Sequence, residues 1–198
     1  MDPLRLLPLA DSPPVERADA ARNREALLSA AAELVDRCDV DGVTMEAVAA
    51  RAGVGKGTVF RRFESREGLM AALLDHSEAA WQAEVLSGPP PLGPGAPPRE
   101  RLIAFGHSRI RTTLHHGALI HAAGRSGARS YAAVSFASMH VRHLLRELGV
   151  TGDLTYLATC LLAPLELPIL QQQLEQDRLP LDRIEHGWDD LVDRLTSH

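Results

Sequence analysis

GVTMEAVAARAGVGKGTVFRRFESREGL, residues 42–69, holds two short helical patterns hinged on glycine. Thr44 is placed to cap the first, whose inward positions are Val48, Ala49 and Ala52. Gly53-Val54-Gly55 interrupts it, and a second short helix is expected over about residues 56–63, with Val59 and Phe63 facing in. Gly53 suits the tight turn, and Val54 is expected to plug the angle between the helices. Two such helices ending in basic side chains suggest a helix-turn-helix, in which one helix braces the other so that its first residues reach base edges in a major groove. The free N–H groups and positive dipole end of the second helix would favour phosphate.

Charge supports that reading. Residues 51–66 contain five basic side chains (Arg51, Lys56, Arg61, Arg62, Arg66) and one acid, Glu64, a local +4 within a chain of net charge −5, so the rest carries −9. One short segment is therefore a basic island in an acidic protein. The overall negative charge argues against an unspecific polyanion binder.

Outward from this stretch, an amphipathic helix is expected over residues 20–37 through Leu27, Leu28, Ala31, Leu34, Val35 and Cys38. Residues 1–19, rich in Pro and Asp and without a period, read as a flexible tail; the lesser alternative is that Arg17, Arg22 and Arg24 form part of an arm near a phosphate backbone. A connecting helix is expected to open at Ser65 and carry Leu69, Leu73, Leu74, Ala80 and Trp81. Residues 87–98, SGPPPLGPGAPP, are nine-twelfths Gly or Pro and can only be a loop. Helical periodicity resumes over 99–116, 118–123 and 128–148, the last with Tyr131, Val134, Val141, Leu144, Leu145 and Leu148 on its inner stripe and Gly149 as its stop. Residues 153–175 form a long apolar segment that Pro164 and Pro168 should kink, and a last helix spans 181–196. No alternating strand pattern or repeat occurs.

The fold expected is all-α with about nine helices: a tail (1–19), an N-terminal three-helix DNA-binding domain (20–66), a connecting helix (67–86), the Pro/Gly loop (87–98) and a C-terminal helical ligand-binding and dimerisation domain (99–198). At 198 residues, 45% hydrophobic and 24% charged, the composition is that of an ordinary globular protein. No apolar run approaches the roughly 20 residues of a bilayer span. Asp2 and three early prolines do not suit an export signal, so a cytoplasmic location is expected. Cys38 and Cys160 fall on apolar positions and are expected to be buried, reduced thiols.

Residues 42–69, with RNREALLSAAAELV at 22–35, resemble the DNA-binding signature of the TetR family of transcriptional regulators, strongly over residues 22–75. RLPLDRIEHGWDDLVDRL, near the C-terminus, is weakly similar to a common ending of the family. The resemblance implies that Thr44 touches a phosphate, with Met45 and Glu46 near the groove. It implies that Lys56, Gly57 and Thr58 begin the recognition helix, that Phe60, Arg61 and Arg62 continue it, and that Arg66 holds the flanking DNA backbone. Two departures stand out. Many members have Ser where this chain has Gly55 and Tyr where it has Phe60, so a capping hydroxyl and a phosphate-binding phenol are absent; Arg61 and Arg62 can compensate through bidentate contacts.

One recognition helix reads only a few base pairs, so specificity asks for a homodimer presenting two of them about 34 Å apart on a palindromic double-stranded DNA operator. The expected dimer surface is the pair of C-terminal helices, with stripes Leu161, Leu165, Leu170, Leu174 and Trp188, Leu191, Leu195, which equally serve to close the monomer's own core. The resemblance further implies an effector pocket among the middle helices. Trp81, Phe105, Ile110, Tyr131, Phe136, Met139 and Leu167 are its candidates, and their character favours a small apolar or aromatic effector. A repressor released by its ligand follows by linkage.

Four competing readings carry less weight. Gly53 to Thr58 echoes a P-loop, but that loop needs a glycine where this chain has Ala50 and a preceding strand. Nine histidines, including the i, i+3 pair His140 and His143, lack a convincing ligand set, and no metal or cofactor is expected. No catalytic constellation stands out, so no enzyme is expected. A helical interaction module without DNA binding predicts weak, salt-insensitive association with duplex DNA.

Overall fold

The computed structural model describes residues 15–124 and 131–197, and the side chains of residues 21–124 and 134–197. The described residues form ten α-helices and no strand: α1 (Val15–Arg37), α2 (Met45–Ala52), α3 (Lys56–Phe63), α4 (Arg66–Ser87), α5 (Pro98–His115), α6 (Gly117–Ala122), α7 (Tyr131–Glu147), α8 (Leu154–Leu162), α9 (Leu167–Gln171) and α10 (Leu181–Thr196). They fall into two compact units, the described residues up to Arg66 and those from Glu67 onward.

In the first unit α1 packs on α2, and α2 on α3. Leu27, Leu28, Ala31, Val48, Val59 and Phe63 are buried as the helical spacing requires. α1 begins at Val15, earlier than the expected tail allowed, because Glu16, Arg17, Ala18 and Ala20 are good helix formers with no breaker among them. Residues 1–14 of that tail lie outside the described residues. A 3-10 turn over Val40–Gly42 joins α1 to α2.

The second unit is built on α5, which packs against α7, α9 and α10, while α7 also packs on α8. Trp81, Phe105, Val141, Leu144, Leu161 and Trp188 belong to one buried cluster. Pro97 and Pro98 open α5 directly after the Pro/Gly loop, where a missing N–H costs nothing. Gly149, at φ 72°, ends α7 as expected, with the Gly149 and Val150 N–H groups donating back to Arg146 O and Leu145 O. Asp153 caps α8 by accepting from the N–H groups of Thr155 (3.0 Å) and Tyr156 (3.1 Å).

Three details of the sequence reading need correction. The segment taken as one kinked helix is two: a 3-10 turn containing Pro164 separates α8 from α9, Pro168 sits in the first turn of α9, and the two arms are bent by 47°. Val134 is exposed, because α7 turns Ala137, Val141, Leu144 and Leu145 inward instead. Both cysteines are exposed free thiols. Cys38 lies just past the end of α1, and Cys160 is on the face of α8 opposite the buried Ala158 and Leu161. Among the described residues no single helix is long and apolar enough to cross a membrane.

Candidate functional site

The α2–α3 angle is closed by backbone geometry. Gly53 takes a left-handed conformation (φ 68°, ψ 29°), letting its N–H donate to Ala50 O at 3.3 Å and the Val54 N–H donate to Ala49 O at 3.0 Å. This reciprocal pair is a Schellman ending, which turns the chain sharply into Gly55 and α3. Val54 contributes its N–H rather than its side chain: at 38% exposure it does not plug the angle. Thr44 Oγ1 accepts from the Ala47 N–H at 3.1 Å, making it the cap of α2.

α3 is anchored by Val59 and Phe63, both buried. The alternate face leaves Lys56, Gly57, Phe60, Arg61 and Arg62 exposed, with Thr58 half-buried at its edge. Gly55 provides no side-chain cap, so the first-turn N–H groups of α3 lack that partner. Lys56 forms an ion pair with Glu46 and stands 5.3 Å from the Phe60 ring centroid. The hydrogen bond from Lys56 holds the Glu46 carboxyl below its ordinary pKa. Lys56 is therefore charge-compensated in the free protein, while Arg61 and Arg62 are exposed on the same helix. Arg61 Nε donates to Gly57 O at 3.3 Å, which lays its guanidinium along the exposed face.

Two residues expected at the groove are elsewhere. Met45 is buried, since as the first residue of α2 it turns into the core beside the capped end. Arg66 clamps the protein's own backbone: its Nε donates to Val43 O (3.1 Å) and its Nη2 to Val40 O (2.6 Å), with Asp41 at 3.7 Å. Those carbonyls sit on the α1–α2 connection, where Val40 O also accepts from the Val43 N–H at 3.1 Å, so Nε and Nη2 of the guanidinium are engaged within the fold. Sequence reading also missed the Arg51–Glu33 ion pair between α2 and α1, which removes one cation from the expected island.

The second unit brings four of the proposed pocket residues together. Trp81, Phe105, Ile110 and Phe136 belong to the buried cluster, the Trp81 ring lying 5.2 Å from Phe105 and 6.1 Å from Phe136. Met139 does not join them: it is 61% exposed, because α7 turns its neighbours Phe136 and His140 inward. Leu167 is buried away from that cluster, near Gly117. The Tyr131 side chain lies outside the described side chains.

The interior is also more polar than its sequence suggested. Arg109, nearly fully buried, donates to Glu78 Oε2 at 2.7 Å and sits 4.7 Å from the Trp81 ring. His140 is stacked on Phe105 and Phe136, and burial, aided by Arg101 and His143, lowers its pKa to about 4. His143 is exposed and faces Glu147, so the two histidines do not converge. Among the described residues no three His, Cys, Asp or Glu side chains are placed to hold a metal ion.

Of the expected dimer stripes, Leu161, Leu165, Leu170 and Trp188 are buried within one chain and are not available to a partner. For Trp188 the reason is the close approach of α5 and α10. A Cβ on Gly106 would stand 2.0 Å from the Trp188 ring, and Trp188 Nε1 donates to Leu102 O at 3.2 Å. Leu174, Leu191 and Leu195 are half-buried. Pairs Arg99–Asp193, His107–Asp189 (2.7 Å) and Arg111–Glu185 (2.8 Å) run along the same antiparallel seam.

Residues 27–73, which include the whole α2–turn–α3 unit, match the family described as bacterial regulatory proteins, tetR family. The chain thus carries a DNA-binding domain of the TetR family over these residues. It is a helix-turn-helix transcription regulator. The P-loop reading fails, because residues 45–52, where that loop needs a strand, form helix α2. A comparison with curated proteins gives no match. Among solved structures, a putative TetR-family transcriptional regulator from Mesorhizobium loti MAFF303099 is similar over 89% of this chain and 96% of its own, at 20% identity and a TM-score of 0.61. A transcriptional regulator from Rhodococcus sp. RHA1 covers 87% and 95% at 21% identity and a TM-score of 0.62. The multidrug binding protein EbrR, complexed with imidazole, covers 96% and 97% at 25% identity and a TM-score of 0.60. The likeness to the first two shows the fold alone.

Proposed function

We propose that this TetR-family regulator is a homodimeric repressor that leaves a palindromic operator when a small apolar or aromatic effector binds its second unit. The observation that carries the DNA half is the division of α3: Val59 and Phe63 fix the helix, while Arg61, Arg62, Phe60 and Lys56 face solvent beside an N-terminus without a side-chain cap. Arg61 and Arg62 meet phosphate or guanine edges, and Lys56 exchanges Glu46 for phosphate on binding. Thr44, Glu46, Gly57 and Thr58 line the approach. Support for an effector comes from EbrR, a multidrug binding protein of similar fold, and from the apolar interior of the second unit. Tyr156 and Ile169 are exposed, and with the half-buried Leu174, Leu191 and Leu195 they serve the pairing, since Leu161, Leu165, Leu170 and Trp188 close the core.

The test selects an operator from a random duplex pool and titrates it at about 50 and 200 mM salt, where each neutralised phosphate contributes about −0.9 to the slope of log K against log salt. Arg61→Ala with Arg62→Ala is expected to flatten that slope by about 2 while the helical content stays intact. An unchanged slope and affinity in the double variant would refute the assignment. Weak, salt-insensitive binding by the unmodified protein would favour an interaction module instead.

A further inference from the structure

Phe60 is unlike the side chains around it on α3. Among the described side chains of the first unit, the large apolar residues left exposed are Phe60, at 39%, and Val54 in the turn before α3. Val59 and Phe63 hold the helix to its core, and the Phe60 ring stands on the solvent side with Lys56 and Arg61. It carries no hydroxyl, so it can neither donate to a phosphate nor pair with a base edge. Its neighbours keep it accessible. Gly57, one turn earlier on the same side, has no side chain, and a Cβ there would meet nothing within 4 Å. The Lys56 ammonium stands 5.3 Å from the ring centroid, and once it turns to a phosphate that side of the ring is uncovered too.

A duplex presents few apolar groups to such a ring. In the major groove the base edges are hydrogen-bond donors and acceptors, and the one apolar group among them is the C5-methyl of thymine. Phe60 is the fifth residue of α3, within reach of base edges for a helix that enters the groove by its N-terminal end. Gly57 lets the helix backbone come close to the groove floor beside it. We propose that Phe60 is a specificity-determining residue that reads a thymine methyl in each half-site, received between its ring and the open position at Gly57. This rests on the reading of α3 as the recognition helix. Arg61 and Arg62 supply attraction that salt screens, whereas Phe60 supplies discrimination between base pairs that salt leaves alone.

The test selects an operator from a random duplex pool with the unmodified full chain. Its thymines are then replaced one at a time by uracil, which deletes the C5-methyl and keeps the pairing edge. Loss of one buried methyl is expected to weaken binding about fourfold at one thymine of each half-site. No charge is involved, so the ratio of the two affinities should be the same at about 50 and 200 mM salt. Phe60→Ala is expected to bind thymine and uracil operators equally, with helical content intact because alanine is the better helix former at an exposed position. Uracil operators that all bind as tightly as the thymine operator overturn the proposal while leaving α3 on the DNA, its ring resting on sugar instead. A methyl effect that survives Phe60→Ala belongs to another side chain and overturns it as well. Failure to select any duplex refutes the reading of α3, and the proposal with it.

Discussion

Gly106→Ala asks whether Trp188 belongs to the core or to a partner. In the interior of a helix, glycine to alanine ordinarily stabilises by about 1 kcal/mol. Here the added Cβ would lie 2.0 Å from Trp188 Cε2 and 2.1 Å from its Nε1. Ordinary carbon contacts are about 3.5–4.0 Å, so the ring must retreat by about 1.5 Å or the helices must part. The ring is buried and tied to Leu102 O, so retreat also breaks a hydrogen bond between groups with no water at hand. Overpacking costs about 1–3 kcal/mol and the broken bond about 1–2 kcal/mol. After the propensity gain, a net loss of about 2–3 kcal/mol is expected. Urea unfolding followed by far- and near-ultraviolet circular dichroism measures it, the near-ultraviolet band reporting the displaced ring. Gly187→Ala, on α10 with open space, is the control and should stabilise slightly. In Gly106→Ala with Trp188→Leu, the Gly106→Ala penalty should vanish, since the clashing partner is gone. A Gly106→Ala variant as stable as the unmodified protein would refute the packing of α5 against α10.

Other expectations concern single groups. His140, whose pKa falls to about 4 in the fold, stays neutral while its unfolded counterpart takes a proton near pH 6.5. Stability is therefore expected to fall by about 3 kcal/mol as pH drops from 6.5 to 4 and to level off below, and His140→Phe should flatten that limb; an equal pH dependence in the variant contradicts the assignment. Arg66→Ala leaves Val40 O and Val43 O without their charged donor and should cost about 1.5–3 kcal/mol, seen as early melting of the DNA-binding unit in hydrogen exchange; loss of DNA affinity with unaltered exchange would return Arg66 to the phosphate backbone. Glu64, at φ 64° and ψ −45°, is the centre of a tight turn in which the Ser65 N–H donates to Phe63 O at 2.7 Å. Glu64→Gly should relieve about 1 kcal/mol of backbone strain, and a lower melting temperature would argue that the carboxylate does more than cross the turn.

Much of the first unit was legible in the sequence. Thr44, Gly53, Val59 and Phe63 act through contacts within a few residues, and a cap, a left-handed turn and a 3.6-residue stripe leave marks at fixed spacings. The all-helical class follows from the same periodicities, and the break of the 153–175 segment from its prolines. Long-range partners leave no such mark. Arg66 and Arg61 have identical side chains in one basic run, yet one is held by carbonyls more than twenty residues away and the other lies along solvent. Leu161, Leu165, Leu170 and Trp188 form stripes that serve a partner or the chain's own core equally well. For Trp188 the decision fell to Gly106, a residue with no periodicity, whose missing Cβ lets α10 come close enough to bury the indole. Local sequence thus determined which helices form and which face of α3 is basic, because those depend on neighbours in the chain. Tertiary packing decided which cations remain for DNA and which apolar stripes are already occupied, because burial and pairing depend on residues brought together across the fold.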